Sequence, residues 1–270
     1  MTNLYKKKGN HVPDKIMRFV KRQESVTISS IAQEFNLSRN TVFSYLSRME
    51  NRGELFRVQR GVYVSSDKLR LKPFISSRIK KINDHIRNCL PYMDFVIWST
   101  ENISQFAHDL ITKHCVFIEA PRENVKAIMD VCSEKKWQTF MFKSINQDVI
   151  NTIDQPILII EKRDFYGSMV FNNIRTATVE KVVVDLVFFA TRKKHPLHGR
   201  EISRILYNIL QTKKLNMSLL KRYATRRNVM SEMTRIFSKL YERYKLPQLN
   251  EHYEKEKSLK KILSQISGEY

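Results

Sequence analysis

Cysteine is scarce in this sequence: three among 270 residues, Cys89, Cys115 and Cys132. The number is odd and no pair stands at C-x-x-C spacing. Neither a disulfide framework nor a cysteine-built zinc site is expected, and a reducing, cytoplasmic compartment fits. Glycine and proline are rare as well, 6 and 7, which excludes fibrous and low-complexity classes. Long apolar runs are missing. The longest, Val182–Ala190, is interrupted by Asp185, and nothing approaches the roughly 18 apolar residues of a membrane span. The first ten residues carry three lysines with no apolar run behind them, so no secretory leader is expected. Acidic side chains are also short, 27 against 48 basic ones, which leaves a net charge of +21. That excess points to nucleic acid, or to a strongly acidic protein or membrane surface. Hydrophobic residues at 42% and aromatics at 10% are enough for a real core and exclude wholesale disorder.

Residues 1–68 read differently from the remainder. Pro13 suits a first helical turn, and Ile16, Met17, Phe19 and Val20 form a helical stripe behind it. Val26-Thr27-Ile28 is short and β-prone. Ser29 or Ser30 is expected to cap a short helix from Ile31 to Phe35. Asn36-Leu37-Ser38 predicts a tight turn, with Ser38 capping a third helix whose Val42, Leu46 and Met49 recur at i, i+4 and i+7. Asn51-Arg52-Gly53 ends that helix. Leu55–Val64 then alternates around Arg60-Gly61, a hairpin signal. This order resembles winged helix-turn-helix DNA-binding modules.

In such a module the second helix of the pair enters the major groove, its first residues touching base edges. With Val42, Leu46 and Met49 turned inward, the outer face holds Arg39, Asn40, Phe43, Ser44, Ser47 and Arg48, with Thr41 at the helix start. Arginine can grip guanine and asparagine adenine through paired hydrogen bonds. Arg57, Gln59 and Arg60 on the hairpin are expected near the backbone or minor groove, and Lys6, Lys7 and Lys8 form a candidate basic arm. An exposed arginine is also, more simply, solvated surface. Residues 1–70 hold 14 basic and 6 acidic residues, so the charge density is highest there. The remaining chain is basic too, which leaves open whether it also meets DNA or an acidic protein.

Past a basic connector (Lys68 to Lys81) residues 69–250 read as an α/β domain with a small sheet and a helical C-terminal part, and 251–270 as a charged helical or loose tail. Expected strands are Phe95–Trp98, Val116–Ile118, Thr139–Phe142 and Ile157–Ile160. Expected helices are Ile103–Leu110, one opened by Pro121, and then only helices: Val179–Thr191, Arg200–Gln211, Ser218–Arg227 and Ser231–Tyr244. The fold class is thus α+β, a winged helix-turn-helix joined to an α/β domain.

Four stretches resemble AbiE-type antitoxins. Thr178–Leu186 is similar to the family's "EK-x-LVDL" helix, and Leu219–Arg227 to its "LLRYAxRR" element. Val96–Thr100 and Phe117–Ala120 are similar to its "IWsT" and "vEV" strands. The chain departs from the pattern at Ala177-Thr178, where a proline often stands, and at Ala120 for valine. The resemblance implies a transcriptional repressor and antitoxin of a bacterial abortive-infection pair. Such a protein binds inverted repeats at its own promoter and counters a nucleotidyltransferase-type toxin. Arg222, Arg226 and Arg227 are then candidate DNA or partner contacts. The plain alternative is that Glu180 and Asp185 pair with these arginines inside the domain, with Tyr223 and Ala224 structural.

No convincing active site stands out. Gly167-Ser168 lacks the paired aspartates of a metal-dependent transferase. Asp154 with Glu161-Lys162 faintly resembles a metal-dependent nuclease core, at too short a spacing. That alternative reading is an enzyme whose winged module positions a nucleic-acid substrate. His195 and His198 flank Pro196 in a basic loop, where metal binding is not expected, and Cys115 sits in apolar surroundings. No metal, no cofactor and no enzymatic activity are expected.

Overall fold

The computed structural model describes residues 12–69, 71–107, 114–145, 147–192, 199–212 and 214–250, with Tyr253, Glu254 and Lys257 beyond them. Lys6, Lys7, Lys8, His195 and His198 lie outside the described residues. The chain is mixed helix and sheet. It opens with helix α1 (Asp14–Arg22), strand β1 (Val26–Thr27) and helices α2 (Ile28–Phe35) and α3 (Arg39–Asn51). The hairpin β2 (Leu55–Gln59) and β3 (Val62–Ser65) follows. The three strands pair antiparallel in the order β1-β3-β2. Ile16, Val20, Ile31, Val42, Leu46, Met49, Leu55 and Tyr63 make one buried cluster, because the apolar positions of each helix recur every three or four residues.

Two caps set the helix starts. Thr27 Oγ1 accepts from Ser30 N–H at 3.0 Å while Ser30 Oγ accepts from Thr27 N–H at 2.9 Å. This reciprocal box starts α2 at Ile28, three residues before the expected Ile31. Ser38 caps α3 as expected, its Oγ accepting from Thr41 N–H at 3.1 Å.

The stretch read as a connector is partly a helix, α4 (Ser77–Cys89). Ser76 caps it, and Ile79, Ile82 and Ile86 bury one face among solvent-facing lysines. The sheet follows: β4 (Val96–Ser99), β5 (Val116–Ala120), α5 (Arg122–Glu134), β6 (Thr139–Met141), α6 (Gln147–Thr152) and β7 (Ile157–Glu161). Its order is β4-β5-β7-β6, with β4 antiparallel to β5 and the other pairs parallel. The expected helix Ile103–Leu110 is instead a 3-10 segment, Thr100–Phe106, and residues 108–113 lie outside the described residues.

Both faces of this sheet are covered, so its strands are near-continuous apolar runs. Val116, Ile118, Ile157 and Ile159 pack beneath α4 and α5. The alternate residues Phe117 and Leu158, with Trp98, face the other way. There they meet α7 (Val179–Thr191) through stacked rings: Trp98–Phe117 at 4.2 Å and Phe117–Phe189 at 5.2 Å between centroids. A hairpin that the sequence reading missed, β8 (Ser168–Phe171) and β9 (Ile174–Ala177), precedes α7. Helices α8 (Gly199–Gln211), α9 (Met217–Arg226) and α10 (Met230–Tyr244) complete the layer, within a residue or two of expectation.

Candidate nucleic-acid interface

The N-terminal turn of α3 stands clear of the protein. Arg39, Asn40, Phe43 and Ser44 are exposed, and Phe43 at 53% is among the most exposed large apolar side chains described. Thr41 is half-buried, and its hydroxyl lies 2.9 Å from that of Ser38, so it is engaged in the cap. Arg48, one turn on, lies 5.8 Å from the centroid of the Tyr45 ring. The Arg48 residue is half-buried. Arg60 is exposed at the tip of the β2–β3 hairpin beside Gly61, whose φ is +76° and where a Cβ would stand in open space. The first turn of α3 thus presents four exposed side chains, and the hairpin tip presents an exposed cation. A positive helix terminus with unpaired N–H groups sits among them.

The other end of the same module is joined to the rest of the chain. Arg222 on α9 donates to the carbonyl of Arg57 and pairs with Glu50 at 3.4 Å. Arg175 on β9 donates to the carbonyl of Asn51. Phe56 on β2, together with Leu69 and Leu71, belongs to the core of the larger part. Gly53 marks the closest approach. It has φ +70°, and a Cβ there would lie 2.5 Å from the Ser168 carbonyl oxygen. Only glycine meets both demands, left-handed backbone and bare contact. Arg57 is half-buried beside this junction.

Of the other arginines singled out, Arg226 pairs with Asp164 and lies 4.2 Å over the Tyr166 ring. Arg227 Nε is 2.9 Å from Asp185, with its guanidinium 3.7 Å over Phe188. Arg222, Arg226 and Arg227 are therefore tied to side chains or backbone of the chain itself. Nothing in the local sequence predicts the Arg222–Arg57 contact, because 165 residues separate the partners.

Residues 41–243 match the model of a family of unknown function, DUF6577. The chain belongs to that family. Residues 14–66 match a second model, described as a transcriptional regulator, AbiEi antitoxin, which bears out the AbiE-type resemblance for the amino-terminal module. No curated protein matches the chain. The DUF6577 span begins inside α3 and runs through α10. It therefore takes in the C-terminal end of α3, the hairpin, and the β8–β9 and α9 surfaces that grip them.

Within the DUF6577 span lies a buried ionic cluster on the α7 side of the sheet. Glu119 on β5 is wholly buried and accepts from Trp98 Nε1 at 3.1 Å. Lys181 bridges Glu119 and Asp185, one turn apart on α7 from itself. Lys162 reaches Glu119 at 3.2 Å and Arg227 closes the cluster on Asp185. Burial alone would raise both carboxyl groups, yet Lys162 and Lys181 hold Glu119 below its usual value. Lys181, Lys162 and Arg227 hold Asp185 well below. Burial opposes the charge on Lys181 also, but Asp185 and Glu119 outweigh it and raise its pKa. Glu180, by contrast, is raised by burial, and its carboxylate accepts from Asn216 N–H at 3.1 Å at the start of α9.

A cavity of about 310 Å³ lies against this cluster, lined among others by Lys162, Asp164, Tyr166, Tyr223 and Arg227. Of the residues of the nuclease-like reading, Glu161 and Lys162 line this cavity and Asp154 is not among its lining residues. Glu161 pairs with Lys143 at 3.1 Å and Lys162 with Glu119. Asp154 precedes β7 while Glu161 ends it. Cys115 is buried core, its thiol pushed up to about 12 by burial.

Proposed function

We propose that this chain is a DNA-binding transcriptional repressor and the antitoxin of a bacterial abortive-infection pair. It would autoregulate its operon and counter a nucleotidyltransferase-type toxin. Residues 1–68 are read as the winged helix-turn-helix, α3 as the reader and β2–β3 as the wing. One observation carries the reading: the first turn of α3 presents Arg39, Asn40, Phe43 and Ser44 to solvent, while the far end of the same helix is anchored by Arg222 and Arg175. A reader needs that polarity, with free side chains toward the groove and a fixed base behind them. The AbiEi regulator match over residues 14–66 and the charge of +21 agree with it.

Arg39 and Asn40 supply base contacts to guanine and adenine, Phe43 packs on a thymine methyl, and Arg60 and Lys6, Lys7 and Lys8 meet phosphate. The larger α/β part, residues 69–250, meets the toxin, and the protein is not an enzyme.

The test is titration of the full chain onto the inverted repeat upstream of its own gene, followed by fluorescence anisotropy at several salt concentrations. Affinity should fall steeply with salt. Arg39→Ala and Asn40→Ala should each cost about 1–3 kcal/mol of discrimination between that site and scrambled DNA. Sequence preference that survives both substitutions removes α3 as the reader.

A further inference from the structure

We propose that the paired C-terminal ends of α4 and α5 form a binding site for Zn²⁺, with His85, Cys89 and Glu134 as ligands and water in the fourth position. One ring nitrogen of His85, the Cys89 sulfur and a Glu134 carboxylate oxygen all lie within 4.8 Å of one another. Ligand atoms around a tetrahedral Zn²⁺ stand about 3.3–3.6 Å apart, given bonds of about 2.0–2.3 Å. Side-chain rotation covers the difference, since Cys89 and Glu134 are both exposed.

Four further features favour an ion here. His85 and Cys89 are separated by one helical turn on α4, so they share a face. The His85 ring is already held: Nε2 lies 3.2 Å from the Val131 carbonyl oxygen, and the ring meets Trp137 edge-on at 5.4 Å. A histidine that donates one N–H to a backbone carbonyl keeps the other nitrogen as a lone-pair donor, the usual state of a metal ligand. Cys89 is the exposed thiol of the three, Cys115 and Cys132 being buried. Finally, α4 ends at Cys89 and α5 at Glu134, so two helix C-termini bring partial negative charge to the same place. Imidazole, thiolate and carboxylate together suit zinc better than calcium or magnesium, which take oxygen ligands. Binding would release the thiol proton to solvent as the sulfur–zinc bond forms.

Co²⁺ serves as the spectroscopic probe and Zn²⁺ as the competitor, on the full chain stripped of metal with EDTA. One equivalent of Co²⁺ should give a thiolate-to-metal charge-transfer band and the visible bands of a tetrahedral ion, all displaced by Zn²⁺. Cys89→Ser, at an exposed position, should leave the melting temperature of the stripped protein unchanged and abolish the charge-transfer band. His85→Gln and Glu134→Gln should each weaken Zn²⁺ binding by at least about tenfold. No charge-transfer band at saturating Co²⁺, a band that persists in Cys89→Ser, or an unchanged affinity in both other variants overturns the assignment.

Discussion

Replacing Lys181 by methionine removes the cation that bridges two buried carboxylates. Lys181 is 4% exposed, and its partners Glu119 and Asp185 are 0% and 2% exposed. Methionine keeps most of the volume, so the loss is electrostatic and not a cavity. Removing one member of a buried ion pair costs about 3–5 kcal/mol. Lys162 and Arg227 still face the cluster, which favours the lower end, about 3 kcal/mol. For a chain of this size that is a fall of about 6–12 °C in Tm.

The pH dependence separates this cause from simple loss of packing. In the native protein Glu119 and Asp185 titrate below their ordinary values. Their contribution is present above the unfolded carboxyl pKa and is lost as pH falls through the folded one. Without Lys181 the buried pair repels itself, and at least one folded carboxyl rises above its unfolded value. That group costs stability as pH climbs past its folded pKa and is relieved below it. The deficit of the Lys181→Met variant should therefore shrink when melting is compared at pH 7 and pH 5. A deficit under about 1 kcal/mol, or one equal at both pH values, refutes this account of the cluster.

Three other outcomes are expected. Gly53→Ala forces a side chain into left-handed backbone and against the Ser168 carbonyl. It should destabilise by about 1–2 kcal/mol from the backbone alone, and speed cleavage by trypsin at the junction between α3 and β8. Unchanged digestion would mean that this contact is not made in solution. Ser38→Ala should lower stability by about 1 kcal/mol through loss of the α3 cap, readable by urea unfolding. With folded, metal-stripped protein at pH 8, iodoacetamide should label the exposed Cys89 and spare the buried Cys115 and Cys132. Burial pushes those two thiols up to about 12 and about 11, and mass spectrometry would show the pattern.

The elements that were legible are those with strong local periodicity. Val42, Leu46 and Met49 placed the inner face of α3, and the apolar block from Val179 placed α7 to the residue. α4 was hidden by its lysines, although Ile79, Ile82 and Ile86 carried the helical period all along. The β8–β9 hairpin had a signal in Asn172-Asn173, both at positive φ, as a two-residue turn of mirror-image type demands. The helix expected from Ile103 ran against the Ser99 cap, whose reciprocal bonds with Asn102 start a tighter turn instead. For the candidate interface, the exposed turn of α3 follows from helical geometry alone. The grip of Arg222 and Arg175 on the module's base depends on contacts across more than a hundred residues, which no window of sequence contains. The Arg227–Asp185 pair is foreshadowed in the sequence, where opposite charges flank one apolar stripe.

Because the base of α3 and strand β2 are clasped by β9 and α9, the angle between the exposed turn of α3 and the bulk of the molecule is set by packed, hydrogen-bonded contacts and not by a swivelling tether. Were two copies to sit on neighbouring half-sites, inserting a single base pair between them would rotate one copy by about 35° around the duplex. The contacts of Arg222, Arg175 and Gly53 would all have to break for a copy to turn back at this joint. Tolerance to spacer length is thus a direct readout of how firmly Gly53 rests on Ser168.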